Sequence, residues 1–249
     1  MDLGMRDRTV IVTGASGGIG REIALGFAAE GAKVMLTYHG AADQAAQVAE
    51  ELGDQARTAR YVLGDPESAT AVEDATVEWT GQVDVLVNNA VAFDRAVIGP
   101  PFDEVPRPDW TRMLANNING YIELSNLATL GMRKRGFGRL VHISTGLVTD
   151  GMAGSEYYAA AKAALHGFSR SAAFSLGAAG DILSNVVMPG MTRTALNADR
   201  LAGMTDAYAA RAPIGRVLDA EEVAKTVVFL GSAANTGLTG QEISVTGGV

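Results

Sequence analysis

TVIVTGASGGIG, residues Thr9 to Gly20, runs from a short β-branched, apolar stretch into a cluster of glycines. IGREIALGFAAEG follows directly, with helical apolar spacing and a stop at Gly31. The pattern predicts a strand that turns tightly into a helix at residues 13–20. Gly14, Gly18 and Gly20 allow such a turn and let backbone N–H groups and the helix terminus approach a pyrophosphate closely. Ser16 and Ile19 lie in the same turn and join them as candidate cofactor contacts. Glycines alone would also suit an ordinary turn; the position between an opening strand and an amphipathic helix favours nucleotide binding.

The same alternation continues along the chain. AKVMLTY reads as a second strand, ADQAAQVAEELG as a helix, TARYVLG as a third strand and SATAVEDATVEWTG as another helix. VDVLVNNA is an apolar strand ending in Asn88 and Asn89. Pro100, Pro101, Pro106 and Pro108 mark residues 91–108 as a loop. A long helix is predicted from about Asp109 into the 130s, followed by the strand RLVHIS, the helix carrying Tyr158 and the strand ILSNVVMPG. Residues 191–213 have no clear period and are expected to cover the substrate. AEEVAKTVVFLG and QEISVTGG close the chain as a helix and a strand. Short strands alternating with helices imply an α/β fold. Residues 1–249 are read as one doubly wound domain with a central parallel sheet and helices on both faces.

With 249 residues, 47% of them apolar, the chain can build one sizeable core. Twenty basic against 28 acidic residues give a charge of −8 and no basic run, which argues against nucleic acid as a partner. The absence of cysteine excludes disulfides and thiolate chemistry and accords with a reducing, cytoplasmic setting. The N-terminal residues lack the apolar centre of a signal peptide, and no uncharged apolar run reaches the ~18 residues of a membrane span. No metal is expected, because His39, His142 and His166 share no ligand spacing and each suits a structural role.

Dinucleotide folds often carry an acid at the end of the second strand, where it meets the adenosine ribose. Here that strand ends LTYHG, with Thr37 at the expected position and no Asp or Glu before Asp43. Without a carboxylate to repel a 2′-phosphate, NADPH is expected as cofactor ahead of NADH. Thr37, His39 and Ser16 are its candidate donors.

YYAAAK, residues 157–162, supplies the chemistry. Residues four apart share a helix face, so Tyr158 and Lys162 face together and Tyr157 does not. A tyrosine hydroxyl titrating near 10 exchanges protons poorly at neutral pH, and a neighbouring ammonium would lower that value. Ser144 and Thr145 end the preceding strand, where either hydroxyl could hold a substrate oxygen. A tyrosine that merely packs beside a solvated lysine is the alternative. The glycine turn and the strand-end hydroxyls tip the reading to hydride transfer at a carbon bearing oxygen.

TGASGGIG, NNA at 88–90, WTRMLANNING at 110–120, YAAAK at 158–162, PGMTRT at 189–194, PIGR at 213–216 and TGQEISVTGG at 239–248 together resemble the short-chain dehydrogenase/reductase family over essentially the whole chain. The later segments are most similar to its bacterial 3-oxoacyl-carrier-protein-reductase-like branch. The resemblance implies a Rossmann fold and an Asn–Ser–Tyr–Lys set. Tyr158 would be the general acid/base, Lys162 would tune it and bind the nicotinamide ribose, and Asn117 would help hold a water in the proton relay. It places Thr145, 13 residues before Tyr158, at the serine position, with Ser144 as the weaker candidate pointing to the opposite side of the strand. Asn88 would brace the central sheet, Asn89 and Ala90 would lie along the cofactor, and Pro189, Gly190, Thr192 and Thr194 would pass near the nicotinamide.

The chain departs from the family pattern at Val91 for a glycine, Val62 for an aspartate and Thr246 for an acid near the C-terminus. A catalytically weakened family member acting as a cofactor-binding or oligomeric scaffold is therefore the second reading. The favoured one is an NAD(P)H-dependent enzyme interconverting a ketone and a secondary alcohol, working as a carbonyl reductase on a small-to-medium apolar or carrier-linked substrate, with a β-ketoacyl thioester among the candidates. Leu147, Val148, Met152, Met191, Leu196, Leu201 and Met204 are expected to supply an apolar substrate wall. Arg95, Arg193 and Arg200 could meet an acidic substrate or carrier, although they form no clear common patch. The resemblance further implies a homodimer or homotetramer, joined through the long helices around 110–135 and 155–177 and through the C-terminal region.

Overall fold

The computed structural model describes residues 2–197 and 203–249. Arg200 and Leu201 lie outside the described residues. Strands β1 (Thr9–Val12), β2 (Lys33–Tyr38), β3 (Ala56–Arg60), β4 (Val85–Asn88), β5 (Phe137–Ile143), β6 (Asp181–Pro189) and β9 (Glu242–Val245) form one sheet in the order β3-β2-β1-β4-β5-β6-β9. Every pairing in it is parallel. β1 and β4 are buried along their whole length, which is why they read as unbroken apolar runs rather than alternating ones.

Helices cover both faces. On one side α1 (Gly18–Ala29) and α8 (Ala220–Leu230) set Ile23, Phe27, Val223 and Val227 against Val10, Val12, Val85 and Val87. α2 (Ala42–Leu52) adds Val48 to the same layer. On the other side α3 (Pro66–Thr80), α4 (Arg107–Arg135) and α6 (Glu156–Gly177) pack Val72, Leu124, Met132 and Leu176 onto Ile11, Met35, Leu86 and Leu140. Burying an aliphatic side chain of this size is worth about 1.5–3 kcal/mol, so these two layers supply the main driving force for folding.

Element boundaries differ from the sequence expectation where local capping decides them. β3 ends at Arg60 rather than running to residue 64. The Val62 amide leaves the sheet to donate to Ser68 Oγ at 2.8 Å, and Asp65 accepts the Glu67 amide as N-cap of α3, with Pro66 in the first turn. α4 starts at Arg107, two residues early, because Pro108 needs no N–H partner in a first turn. Residues 191–213 contain β7 (Thr192–Arg193), which pairs with β8 (Leu218–Asp219), and α7 (Thr205–Arg211). A four-residue helix, α5 (Leu147–Asp150), follows the end of β5.

The strand order reverses between β1 and β4. That divergence opens a crevice at the carboxyl ends of the central strands, the usual ligand position in such sheets.

Candidate active site

The glycine turn is built to an exact backbone fit. Gly14 has φ +66°, and a Cβ there would sit 3.0 Å from Ala90 Cα; a Cβ on Gly20 would fall 2.3 Å from Gly14 O. Thr13 locks the turn to β4: its hydroxyl donates to Val87 O at 3.2 Å and accepts from the Asn89 and Ala90 amides at 2.8 and 2.9 Å. Asn89 Nδ2 returns the grip by donating to Thr13 O at 2.8 Å and Gly14 O at 3.3 Å. Gly17 caps α1 without a side-chain hydrogen bond, so the helix's first amides are not occupied by a cap side chain.

A cavity of about 750 Å³ runs from this turn in both directions. One end is lined by Thr37, Tyr38, His39 and Ala41 after β2; the other reaches Ala90, Val91, Phe93 and Met113, with Ser16, Ile19 and Thr194 between. Gly18 and Thr194 also line a neighbouring groove of about 700 Å³. The length of the cleft, glycines that leave no room for a Cβ and an uncapped helix start beside it fit a nicotinamide dinucleotide. Of the predicted segment at 189–194, Thr194 is the residue that lines the cleft. Pro189 O accepts the Gly146 amide at 3.0 Å, Thr192 is 7% exposed, and its hydroxyl donates to Gly190 O at 3.0 Å. Those three shape the chain behind the cavity wall.

Thr37 differs from the expectation. It is 1% exposed, and its hydroxyl oxygen accepts the Gly14 amide at 3.2 Å, so it braces the glycine turn from beneath. Tyr38 and His39, the next residues, reach the cleft surface.

Tyr158 and Lys162 lie on α6 as the four-residue spacing predicts, while Tyr157 turns away to stack on Trp110 at 5.3 Å and donates to Phe102 O at 2.9 Å. Burial pushes the Tyr158 hydroxyl up to about 12, opposed by the hydrogen-bonding hydroxyl of Thr145. Thr145 is thus the strand-end hydroxyl beside the tyrosine. Ser144 faces the other way. It is 4% exposed, and its Oγ lies 2.8 Å from His166 Nε2, whose Nδ1 pairs with Glu242 Oε2 at 2.9 Å. Serine, histidine and glutamate in line suggest a hydrolytic triad, but the Ser144 hydroxyl is buried against His166 and, like Thr145, Tyr158 and Lys162, lines neither large cavity; Tyr158 comes nearest to the cleft through its edge contact with Phe93 at 6.3 Å. The chain is a strut joining β5, α6 and β9.

Lys162 is 2% exposed, and burial brings its ammonium down to about 7. The expected lowering of Tyr158 by this charge is not what dominates. Desolvation governs the tyrosine, and Lys162 Nζ instead donates to Ile143 O at 2.7 Å and Tyr121 Oη at 2.6 Å. Tyr121 was not singled out by the sequence, where it reads as one apolar residue of a long helix.

Asn117 is fully buried, and its side chain is committed to backbone. Oδ1 accepts the Ala92 amide at 3.0 Å, and Nδ2 donates to Ala92 O at 3.0 Å and Met113 O at 2.9 Å. It clamps the segment after β4 to α4 with both of its side-chain N–H donors engaged. Asn88 Nδ2 lies 2.9 Å from Ser125 Oγ and 3.1 Å from His142 Nδ1, tying β4 to α4 and β5.

Fold and cleft define a dinucleotide-dependent oxidoreductase of the doubly wound type. Residues 14–249 match the family described as enoyl-(acyl carrier protein) reductase. The chain is 36% identical to the 3-oxoacyl-[acyl-carrier-protein] reductase FabG of Salmonella typhimurium over 97% of each sequence, and 35% identical to the cis-4-hydroxycyclohexanecarboxylate dehydrogenase of Sinomonas cyclohexanicum over 97% of this chain and 96% of that one. A solved short-chain dehydrogenase/reductase family protein superposes with a TM-score of 0.87 at 33% identity, covering 100% of this chain and 98% of the other. The chain belongs to the short-chain dehydrogenase/reductase family and is an NAD(P)-dependent oxidoreductase.

Proposed function

We propose that the protein is an NADPH-dependent carbonyl reductase that turns a ketone into a secondary alcohol. The observation carrying this reading is the placement of Tyr158, with Thr145 beside it, on the helix that also brings Lys162 to the carboxyl end of β5. When bound, the nicotinamide supplies the hydride. Tyr158, held protonated at neutral pH by burial, donates its phenolic proton to the carbonyl oxygen as charge develops there. Thr145 donates a hydrogen bond to the same oxygen. Lys162, when charged, stabilises the phenolate that Tyr158 becomes on giving up its proton, which solvent then restores.

The cofactor choice rests on the adenosine end. Thr37, Tyr38, His39, Gly40 and Ala41 line it without a carboxylate, and among the described residues the one acid of the cleft, Asp94, is paired to Arg112 at 3.0 Å. Ser16, Gly14, Gly18, Ile19, Gly20, Asn89, Ala90 and Thr194 would hold or shape the rest of the cofactor, with Pro189, Gly190 and Thr192 supporting from behind.

The FabG relatives are named for 3-oxoacyl groups on acyl carrier protein and the Sinomonas relative for a hydroxylated cyclohexane acid. Both are secondary alcohol–ketone pairs on a mainly apolar skeleton. A carrier-linked β-ketoacyl thioester is the leading substrate class, with a small cyclic ketone as its competitor. A cytoplasmic homodimer or homotetramer belongs to the same proposal, supported by Leu130 on α4 and Phe174 on α6, which are 62% and 81% exposed.

Parallel titration with NADPH and NADH, followed by nicotinamide fluorescence, tests the cofactor. NADPH should bind the tighter by tenfold or more, and a preference for NADH would overturn that part. Turnover of a β-ketoacyl thioester should then disappear in Tyr158→Phe with NADPH binding retained. Full activity in that variant would overturn the mechanism.

A further inference from the structure

Lys162 is held by a partner that the tyrosine–lysine motif does not contain. Tyr121, on α4, is 0% exposed, and its hydroxyl is used twice: the oxygen accepts Lys162 Nζ at 2.6 Å, and the proton is donated to Ala90 O. The ammonium lies 4.8 Å from the ring centroid, so it addresses the oxygen lone pair and not the ring face. The backbone behind the ring is also fixed, since Tyr121 O accepts from Ser125 Oγ at 2.6 Å and from Asn88 Nδ2 at 3.4 Å. A continuous chain therefore runs from Lys162 on α6 through Tyr121 on α4 to Ala90, a wall residue of the cofactor cleft.

We propose that Tyr121 is the positioning residue for Lys162: its hydroxyl takes one ammonium donor and ties it through the Ala90 carbonyl to the cofactor cleft. An ammonium has three donors. Ile143 O takes the second, which leaves one N–H for the reaction site. The inference rests on the reading in which Lys162 assists Tyr158. The other titratable groups near the ammonium are Tyr158 on α6 itself and His142 on β5; desolvation first and the Lys162 charge second bring His142 down to about 3 and keep it neutral. Among the described residues no carboxylate pairs with Lys162, so neutral oxygens must satisfy it.

A positioning role and simple packing predict opposite orders for two substitutions. Tyr121→Phe keeps the ring but offers no oxygen, leaving both an ammonium donor and the Ala90 carbonyl unpartnered in a site too full for water. Tyr121→Val loses more packing but opens a polar space between the same two groups, where a water can accept from Lys162 and donate to Ala90. If the oxygen matters, valine will function better than phenylalanine despite being the less stable protein.

The direct test is the 13Cε titration of lysine-labelled protein, which is readable because the chain has four lysines, Lys33, Lys134, Lys162 and Lys225. In Tyr121→Phe the Lys162 titration should move down by about one pH unit, since a hydrogen bond to the charged form is lost. In Tyr121→Val it should stay within about half of that shift from the parent. Turnover at pH 6.5 should follow the same order, with kcat in the phenylalanine variant reduced more than cofactor affinity. An unmoved Lys162 titration in the phenylalanine variant would overturn the proposal, as would a valine variant that is worse on both readouts. The titration needs no substrate. Loss of the Tyr158 mechanism would therefore appear in turnover while the grip of Tyr121 on Lys162 was still being measured.

Discussion

Arg139 and Lys162 are both fully sequestered cations within the same layers of the sheet, at opposite ends of it. Arg139, near the start of β5, makes five hydrogen bonds: to Ser232 O, Gly138 O, Asp181 O, Asp181 Oδ2 and Asn235 O. Those are all the donors a guanidinium possesses. Lys162, beyond the other end of the same strand, makes two of its three. The first cation is saturated and locks β5, β6 and the segment after α8 together. The second is left one donor short, linked through Tyr121 to Ala90 on the wall of the ligand cleft. A buried charge is expensive unless paired, so a donor left open marks a place where another molecule is to complete the set.

The sharpest way to break this comparison is to remove each charge in turn. Lys162→Met should cut turnover by about 10²–10⁴-fold while the protein stays folded, because only two of its donors are engaged in the structure. Arg139→Met should do the reverse, lowering the unfolding free energy in urea by about 3–5 kcal/mol as four backbone carbonyls and Asp181 lose their partner. Equal losses of stability in the two variants would dissolve the distinction.

A smaller effect separates the neighbouring hydroxyls. Thr145→Val should lower turnover by about 10²-fold and Thr145→Ser should keep most of it. Ser144→Ala should leave turnover alone and cost about 1 kcal/mol of stability through the lost His166 contact.

The most gradual effect is in pH dependence. Burial holds the Lys162 ammonium at about 7 in the folded chain, below its ordinary value of 10.5. Between those two values the unfolded chain binds more protons than the folded one, so this group's contribution to stability improves as pH rises. The penalty is fully present below pH 7. From pH 7.5 to 9.5 the parent should gain on Lys162→Met by roughly 1 kcal/mol per pH unit, read from paired urea titrations.

Much of the fold was legible because its signals are local. β1 and α1 flank the glycine turn where TVIVTG and IGREIALGFAAEG place them, and the alternation of short strands and helices carried the parallel sheet. Tyr158 and Lys162 share a face because helix pitch demands it, and Ser144 and Thr145 diverge because strand pleating does. The errors have equally local causes. β3 ended early through capping by Asp65 and Ser68. Thr37 lines the cleft with Tyr38 and His39 but spends its hydroxyl on the Gly14 amide, a partner 23 residues away that no local pattern announces.

What the linear order of residues determined, then, was the doubly wound architecture, the glycine turn and the tyrosine–lysine pair, since each follows from spacings of a few residues and the fixed geometry of helix and strand. What the tertiary structure alone decided was how those parts are held. Tyr121 reaches Lys162 across 41 residues, and Arg139 reaches Ser232 across 93. No periodicity encodes such pairs. They arise when packing of the two helical layers removes water from polar groups, which must then find partners wherever the folded chain has brought them.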